Sequence, residues 1–132
     1  MTVFIDTSAL FAVLDADDQN HERAKRVWVK LLTQDAEIVC TNYILVETFA
    51  LVQHRLGMEA VRVLQEDVVP VLSVEWVDET CHHASVMALL IAARRQLSLV
   101  DCVSFYTMRR LGIKTAFTLD RHFAEQGFEC LP

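Results

Sequence analysis

The sequence is poor in residues that interrupt regular structure, and it has no long apolar run. It contains three glycines and two prolines in 132 residues, and no stretch approaches the roughly 18 apolar residues of a membrane span. The N-terminus does not show the charged-then-apolar pattern of a signal peptide. These absences exclude the membrane-spanning and secreted classes, and they predict one cytoplasmic domain over residues 1–132, with no membrane partner.

Clustered cysteines and an excess of basic residues are also missing. The four cysteines are widely spaced and form no CxxC pair, a usage typical of small buried residues or free thiols in a reducing compartment. The net charge of −6 argues against a non-specific nucleic-acid binder. It does not exclude a phosphate substrate, because bound divalent cations can reverse the local field.

What is present is an alternation of strand and helix patterns. The first strand, Val3 to Ile5, is apolar throughout, as expected for a strand buried on both faces. Further strands are predicted at 37–40, 68–74, 115–117 and 128–131, with Pro70 indicating an edge position for the third. Helices are predicted between them, including 43–55, 59–66, 75–95 and 120–126. This order predicts a doubly wound α/β fold, with a largely parallel sheet of about five strands and helices on both faces.

Two predicted details concern the helix starts and one buried helix face. Thr7 and Ser8 are good N-cap residues for the first helix, and Asp6 itself is an alternative cap. In the helix predicted over 75–95, the apolar side comprises Val86, Leu89, Leu90 and Ala93.

Asp6 is the first of four acids that stand without a local counter-ion. It directly follows the first strand, and open α/β sheets place their ligand sites at the carboxyl ends of strands. Glu47 lies in the most apolar helix, and its neighbours three and four residues away include no Lys or Arg. Burying an ionised carboxylate there requires a partner from elsewhere. The alternative is an exposed Glu47 on a narrow polar strip beside His54.

Asp101 and Asp120 complete this set. Ser98 and Asp101 have the spacing of a capping box, so helix capping is a strong alternative role for this acid. Asp120 follows the fourth strand as Asp6 follows the first, and its alternative role is capping the helix through Phe123. Four carboxylates that converge without cations would repel each other and raise one another's pKa values. A hard divalent cation, Mg²⁺ or Mn²⁺, resolves this repulsion.

Four segments of the chain resemble the PIN domain, and among PIN domains the VapC-type toxin ribonucleases of bacterial and archaeal toxin–antitoxin systems. They are FIDTSAL (4–10), NYILVE (42–47), LSLVD (97–101) and FTLDRHF (117–123), in the family's order and spacing. The resemblance implies a PIN-like fold and an endoribonuclease that depends on Mg²⁺ or Mn²⁺. It makes Asp6, Glu47, Asp101 and Asp120 the catalytic, metal-binding acids, with Asp6 and Asp101 as the main ligands.

The same resemblance implies residues and partners around these acids. Thr7 and Thr118 match positions where the family often has a hydroxyl near the site. Basic side chains that could hold RNA phosphates are Arg94, Arg95 and Arg121, with Arg109, Arg110 and Lys114 as further candidates. The implied partners are RNA, an antitoxin protein and a second copy of the chain. Trp28, Trp76 or the aromatic residues of the third helix are candidates for an apolar contact surface.

Other functions fit the sequence less well. A non-catalytic PIN-like binding module would have no reason to keep four unpaired acids. A haloacid-dehalogenase-type phosphatase requires a second Asp two residues after the first, where this chain has Ser8. A receiver domain requires a Lys after a late strand, and residues 115–119 contain none.

Overall fold

Five parallel strands form one sheet in the order β3-β2-β1-β4-β5. The coordinates are a computed structural model that describes all 132 residues. The strands are β1 Thr2–Ile5, β2 Glu37–Thr41, β3 Leu72–Glu75, β4 Thr115–Phe117 and β5 Glu129–Leu131. The predicted five-stranded α/β sheet is confirmed, and it is parallel throughout.

β1 occupies the centre of the sheet, as its apolar sequence predicts. Val3, Phe4 and Ile5 are each 0% exposed, so the strand is covered on both faces. It pairs with β2 on one side and β4 on the other, with Phe4 opposite Ala116 in β4. The residue that follows β1 therefore lies between two neighbouring strand ends.

Seven α-helices connect the strands. They are α1 Thr7–Leu14, α2 His21–Thr33, α3 Asn42–Leu56, α4 Met58–Val63, α5 Glu79–Ala92, α6 Leu99–Leu111 and α7 His122–Glu125. Successive strands move from β1 to β3 in one direction, and then from β4 to β5 in the other. Because parallel crossovers are right-handed, this reversal places α1–α4 on one face of the sheet and α5–α7 on the other.

The reversal creates a crevice between the carboxyl ends of β1 and β4. The chain leaves β1 toward one edge of the sheet and leaves β4 toward the other, which is the arrangement where open α/β sheets bind ligands. Asp6 follows β1 and Asp120 lies three residues after β4 ends. Topology alone thus brings two of the four predicted acids to one place.

The cap of α1 differs from the prediction. Asp6, rather than Thr7 or Ser8, is the N-cap, and its side chain accepts a hydrogen bond from the backbone N–H of Ala9. The reason is that Thr7 and Ser8 already belong to the helix, whereas Asp6 still has the extended backbone of the strand.

The third strand and the helix after it are shorter than predicted. Residues Leu64–Val68 form a π-helical turn and Val69–Val71 a 3-10 turn that contains Pro70, so β3 begins only at Leu72. Its edge position is confirmed. Asp78 caps α5 by accepting from the Cys81 N–H at 2.8 Å, which delays the helix start to Glu79.

The predicted apolar side of α5 is wrong in part. Leu89 packs against the core, but Leu90 is 65% exposed, and Ala93 lies beyond the helix end in a left-handed conformation. The buried residues of α5 are Cys81 and Ser85. All four cysteines are free thiols, and no helix is long and apolar enough to cross a membrane.

Candidate active site

Asp6 is the most deeply buried acid at the crevice. Its Oδ1 accepts hydrogen bonds from Ser8 Oγ at 2.7 Å and from the Ala9 N–H at 3.2 Å. Its Oδ2 accepts from Thr118 Oγ1 at 2.9 Å. Burial raises the pKa of Asp6 to about 7 and nearby Asp120 adds to this rise, although the three hydrogen bonds act to lower it.

Two hydroxyl groups connect Asp6 to the segment after β4. Thr118 Oγ1, which donates to Asp6, accepts from the backbone N–H of Asp120 at 2.9 Å. Ser8 Oγ, which also donates to Asp6, accepts from the backbone N–H of Leu119 at 2.8 Å. These hydrogen bonds place Thr118 beside Asp6 and Asp120.

Ser8 is a site neighbour that the sequence predicts only as a helix cap. The residue that it bonds in the 118–120 segment is more than 100 positions away in the sequence. The available signal was its spacing of two residues from Asp6 at a helix start, where hydroxyl side chains commonly bond back to a nearby acid or backbone group.

Asp101 reaches the crevice from the first turn of α6. The predicted capping box is present: Ser98 Oγ accepts from the Asp101 N–H at 3.0 Å, and Asp101 Oδ2 accepts from the Ser98 N–H at 3.1 Å. Burial raises the pKa of Asp101, and the negative charge of Asp120 raises it further. The carboxylate therefore caps the helix while still facing a second acid.

Asp120 and His122 lie beside Asp101. Asp120 Oδ1 accepts from the His122 backbone N–H at 2.9 Å, which fixes the turn before α7. His122 Nδ1 is 3.0 Å from Asp120 Oδ1 and 3.9 Å from Asp101 Oδ2, and one ligand atom from each residue lies within 4.8 Å of the other two. We call Asp101, Asp120 and His122 the α6–α7 cluster.

The α6–α7 cluster has no lysine or arginine partner, and His122 forms ion pairs with its two acids only if the ring is protonated. No Lys or Arg forms an ion pair with Asp6, Asp101 or Asp120. The His122 ring is close to both carboxylates but is not oriented for a hydrogen bond, and neither ring nitrogen has a partner. In the sequence His122 stands two residues after Asp120, and that position does not indicate its burial.

Glu47 lies outside the α6–α7 cluster. It is exposed on α3, so the alternative of a solvent-facing Glu47 is the one that the structure shows. It lines a shallow hollow with Val100, the residue before Asp101, and with Asn42, Tyr43 and Val46. This hollow adjoins the start of α6, and we call the position of Glu47 beside it the rim of the crevice.

Thr7 and the predicted basic residues also lie apart from the acids. The Thr7 hydroxyl donates to the Ile44 carbonyl oxygen at 3.4 Å and accepts from Thr48 Oγ1 at 3.0 Å, so it ties α1 to α3. Arg94 Nη2 is 3.2 Å from Glu125 Oε2, and Arg121 Nε is 3.9 Å from Glu125 Oε1. Arg95 is exposed and forms no ion pair.

The other basic candidates make ordinary surface contacts. Arg110 pairs with Glu75 at 2.7 Å, and Arg109 donates to the Gln126 side chain at 2.8 Å. Lys114 is exposed in the turn before β4. None of these three contacts one of the four predicted acids.

Comparisons with known proteins agree with this fold. The PIN domain family model matches residues 3–129. The 23S rRNA-specific endonuclease VapC20 of Mycobacterium tuberculosis, in strains CDC 1551 / Oshkosh and H37Rv, is 32% identical over 127 residues, covering 96% of this chain and 95% of that protein.

Solved structures extend the similarity to three dimensions. The crystal structure of VapC20 from M. tuberculosis, described as a sarcin–ricin loop cleaving toxin, aligns with a TM-score of 0.87 over 98% of this chain and 99% of that one, at 32% identity. FitAcB from Neisseria gonorrhoeae aligns with a TM-score of 0.70 over 100% of this chain and 97% of that one, at 15% identity. VapBC2 from Rickettsia felis, bound to a DNA fragment from its promoter, aligns with a TM-score of 0.70 over 98% and 97%, at 11% identity. The last two show a shared fold.

Proposed function

This chain belongs to the PIN domain family, and from that premise we propose that it is a divalent-metal-dependent endoribonuclease that hydrolyses RNA phosphodiester bonds, the toxin of a toxin–antitoxin pair. The observation that carries the proposal is the meeting of Asp6, Asp101 and Asp120 at the β1–β4 crevice, without a Lys or Arg to neutralise them. We take residues 1–132 to act as one nuclease domain in the cytoplasm, where RNA is available.

The residues at the crevice fit a hard divalent cation. Two carboxylates and an imidazole that has no hydrogen-bond partner lie within 4.8 Å of one another, and oxygen-rich sets of this kind hold Mg²⁺ or Mn²⁺. Asp6, Asp101 and Asp120 would hold the ion, with Glu47 contributing from the rim. When bound, such an ion activates water and neutralises charge on the phosphate.

The chain's own residues orient these acids before any ligand arrives. Ser8 and Thr118 fix both oxygens of Asp6, and the capping box fixes Asp101 at the start of α6. Preorganised charged groups are effective in catalysis because they do not have to reorganise during the reaction. No Ser–His–Asp arrangement is needed, since water is the nucleophile in metal-assisted hydrolysis.

RNA would reach the crevice past the loop between α5 and α6. Arg94 and Arg121 share Glu125, so their charge toward a phosphate is partly neutralised, whereas Arg95 is exposed without an acid partner. We assign RNA-phosphate contacts to Arg95 first, and to Arg94 and Arg121 when the substrate displaces Glu125. Thr118 positions Asp6 and Asp120 through its two hydrogen bonds. Thr7 holds α1 in place through its hydrogen bonds to α3.

An antitoxin and a second copy of the chain are the protein partners that we propose. The relatives in the VapC and Fit groups support an antitoxin. For self-association, α5 offers Met87, Leu90 and Ile91, which are 57%, 65% and 81% exposed. Contiguous exposed apolar side chains of this kind are typical of protein contact surfaces.

The deciding experiment is RNA cleavage with Mg²⁺, with Mn²⁺ and with EDTA. Ribosomal RNA is the first substrate to test, because the relative VapC20 is named for 23S rRNA. We expect cleavage with the cations, none in EDTA, and a loss of at least about a hundredfold in Asp6→Asn and Asp101→Asn.

Asp78→Asn is the matched control. Asp78 is the N-cap of α5, and Asp101 is the N3 acid of the α6 capping box, so both acids accept a backbone N–H at a helix start. Asp78 lies outside the crevice, so this variant should cleave like the wild type. Cleavage that survives EDTA, or survives both crevice substitutions, would rule out the metal-nuclease mechanism. RNA binding without cleavage would instead indicate a non-catalytic PIN-like module.

A further inference from the structure

His122 is a buried histidine whose ring has no hydrogen-bond partner. The residue is 8% exposed, and neither Nδ1 nor Nε2 has a partner. Other histidines of the chain are satisfied: His21 Nδ1 is 2.8 Å from the Ala12 carbonyl oxygen, and His82 Nδ1 is hydrogen-bonded to the Tyr43 hydroxyl. An unpartnered buried polar group is costly, so His122 requires an explanation.

The position of the His122 ring is imposed by the fold around it. The Asp120 carboxylate accepts the His122 backbone N–H, and the next residue, Phe123, is 0% exposed in the core. The Phe123 ring lies 5.0 Å from the ring of Phe105 and 6.3 Å from that of Phe4, measured between centroids. Anchored on both sides, His122 is held against the carboxylates of the α6–α7 cluster.

The distances within the α6–α7 cluster suit ligands of one ion. Around an octahedral cation with ligands at about 2.1 Å, neighbouring ligand atoms are about 3.0 Å apart and opposite ones about 4.2 Å apart. His122 Nδ1 is 3.0 Å from Asp120 Oδ1 and 3.9 Å from Asp101 Oδ2, and both distances fall within this range. Both contacts are within ion-pair distance for a protonated ring, but the ring is not oriented for a hydrogen bond to either acid, so Nδ1 keeps its capacity for another ligand.

We propose that His122 is a direct nitrogen ligand of the divalent cation that Asp101 and Asp120 hold, and that this mixed nitrogen and oxygen set makes the site prefer Mn²⁺ to Mg²⁺. The inference rests on the proposed function for the presence of a cation at this crevice. Its chemical basis is that Mn²⁺ is a first-row transition-metal ion, for which a nitrogen ligand is less unfavourable than for Mg²⁺, a hard cation that is bound almost entirely by oxygen. A site of carboxylates alone would discriminate less between the two cations.

The test is pulsed electron paramagnetic resonance of Mn²⁺ bound to the EDTA-stripped and dialysed protein. A histidine ligand gives a nitrogen coupling in the spin-echo signal, and labelling the wild type with ¹⁵N-histidine must replace the ¹⁴N pattern by that of ¹⁵N. This measurement needs no substitution, so it does not depend on any variant folding. Absence of the coupling in the wild type overturns the proposal.

Binding titrations add a second readout. Removal of His122 in His122→Asn should weaken Mn²⁺ binding by at least about tenfold, change Mg²⁺ binding much less, and abolish the nitrogen coupling. His83→Asn is the control, because His83 is an exposed histidine that faces Glu79 on α5. Equal weakening of both cations, or coupling that persists in His122→Asn, contradicts the assignment.

The two proposals fail in different ways. A protein that shows histidine coupling to Mn²⁺ but does not cut RNA retains the metal assignment and loses the nuclease function. Metal-dependent cleavage without histidine coupling retains the function and overturns the role of His122.

Discussion

Asp6 and the α6–α7 cluster face the same crevice, but they differ in how fully the protein satisfies their polar groups with hydrogen bonds. Both oxygens of Asp6 are occupied, by two hydroxyls and one backbone N–H. In the α6–α7 cluster each acid accepts a backbone N–H from its own turn, and the imidazole between them has no partner. Folding alone completes the surroundings of Asp6, while the α6–α7 cluster is left with capacity for a ligand.

This difference suggests a division of roles at the proposed metal site. Asp6 is buried at the end of the central strand and is fixed in place by residues from both β1–α1 and β4–α7. A carboxylate has about four acceptor positions, so Asp6 can still contact an ion while keeping its three hydrogen bonds. The α6–α7 cluster contributes the groups whose polar atoms are least satisfied before the ion binds.

The largest effect that would sharpen this comparison is the pH dependence of stability without metal. The folded-state pKa of Asp6 is about 7 against an ordinary value of 3.8, so between these values the folded protein binds a proton that the unfolded chain releases. Asp6 therefore costs stability as pH rises, by about 1.4 kcal/mol per pH unit, and the loss is complete above about pH 7. Asp6→Asn removes this cost.

Urea unfolding in EDTA from pH 5 to pH 8 measures the stability cost of the ionised Asp6 carboxylate. We expect Asp6→Asn to gain on the wild type as pH rises and then to keep a constant advantage above about pH 7. Asp78→Asn, which removes a helix-capping acid elsewhere, should show no such trend. If the unfolding free energies of Asp6→Asn and the wild type changed with pH in parallel, the pKa of Asp6 would not be raised in the folded protein.

How much of the fold and the candidate site could be predicted from the sequence depends on how far apart the interacting residues are along the chain. The strand before Asp6 and the capping box of Asp101 are local patterns, and both are present. The role of Ser8 depends on the 118–120 segment, and the burial of His122 depends on packing by α6. Neither contact leaves a periodic signal in the sequence.

At Glu47 a local pattern, the apolar composition of α3, gave a wrong prediction. Its helix is rich in apolar residues, which predicted a buried carboxylate, but Val46 beside it is 70% exposed. Composition measures how many apolar residues a helix has and does not show how many of its faces are covered. One side of α3 remains open, and Glu47 lies on it with Val46 and His54.

An intermediate effect on RNA cleavage is expected at Thr118, which connects Asp6 to Asp120 of the α6–α7 cluster. Thr118→Val removes the hydroxyl that donates to Asp6 and accepts from the Asp120 N–H. Groups that orient metal ligands typically contribute about 10- to 100-fold to affinity or activity, so we expect RNA cleavage to fall by about that factor. The measurement is cleavage rate per folded protein at saturating Mn²⁺ and at saturating Mg²⁺.

Thr48→Val is the matched control for this loss. Thr48 is a fully buried threonine whose hydroxyl bonds Thr7 and the Ile44 carbonyl oxygen, so its removal should cost about 1 kcal/mol of stability. It touches none of the acids, and cleavage by the folded variant should stay within about twofold of wild type. Equal losses of activity in both variants would show that Thr118 matters only for packing.

The smallest effect on RNA cleavage is expected at Glu47, the predicted acid that neither contacts Asp6 nor belongs to the α6–α7 cluster. Because Glu47 is exposed at the rim, its charge acts through solvent, where an interaction is worth about 1 kcal/mol or less. Glu47→Gln should therefore slow RNA cleavage by about two- to fivefold, and less at high salt because exposed charges are screened. Glu59→Gln, an exposed acid in the first turn of α4, should have no effect. A loss as large as that of Asp101→Asn would instead mean that Glu47 turns inward when the cation or RNA binds, and that the α6–α7 cluster takes its next ligand from α3.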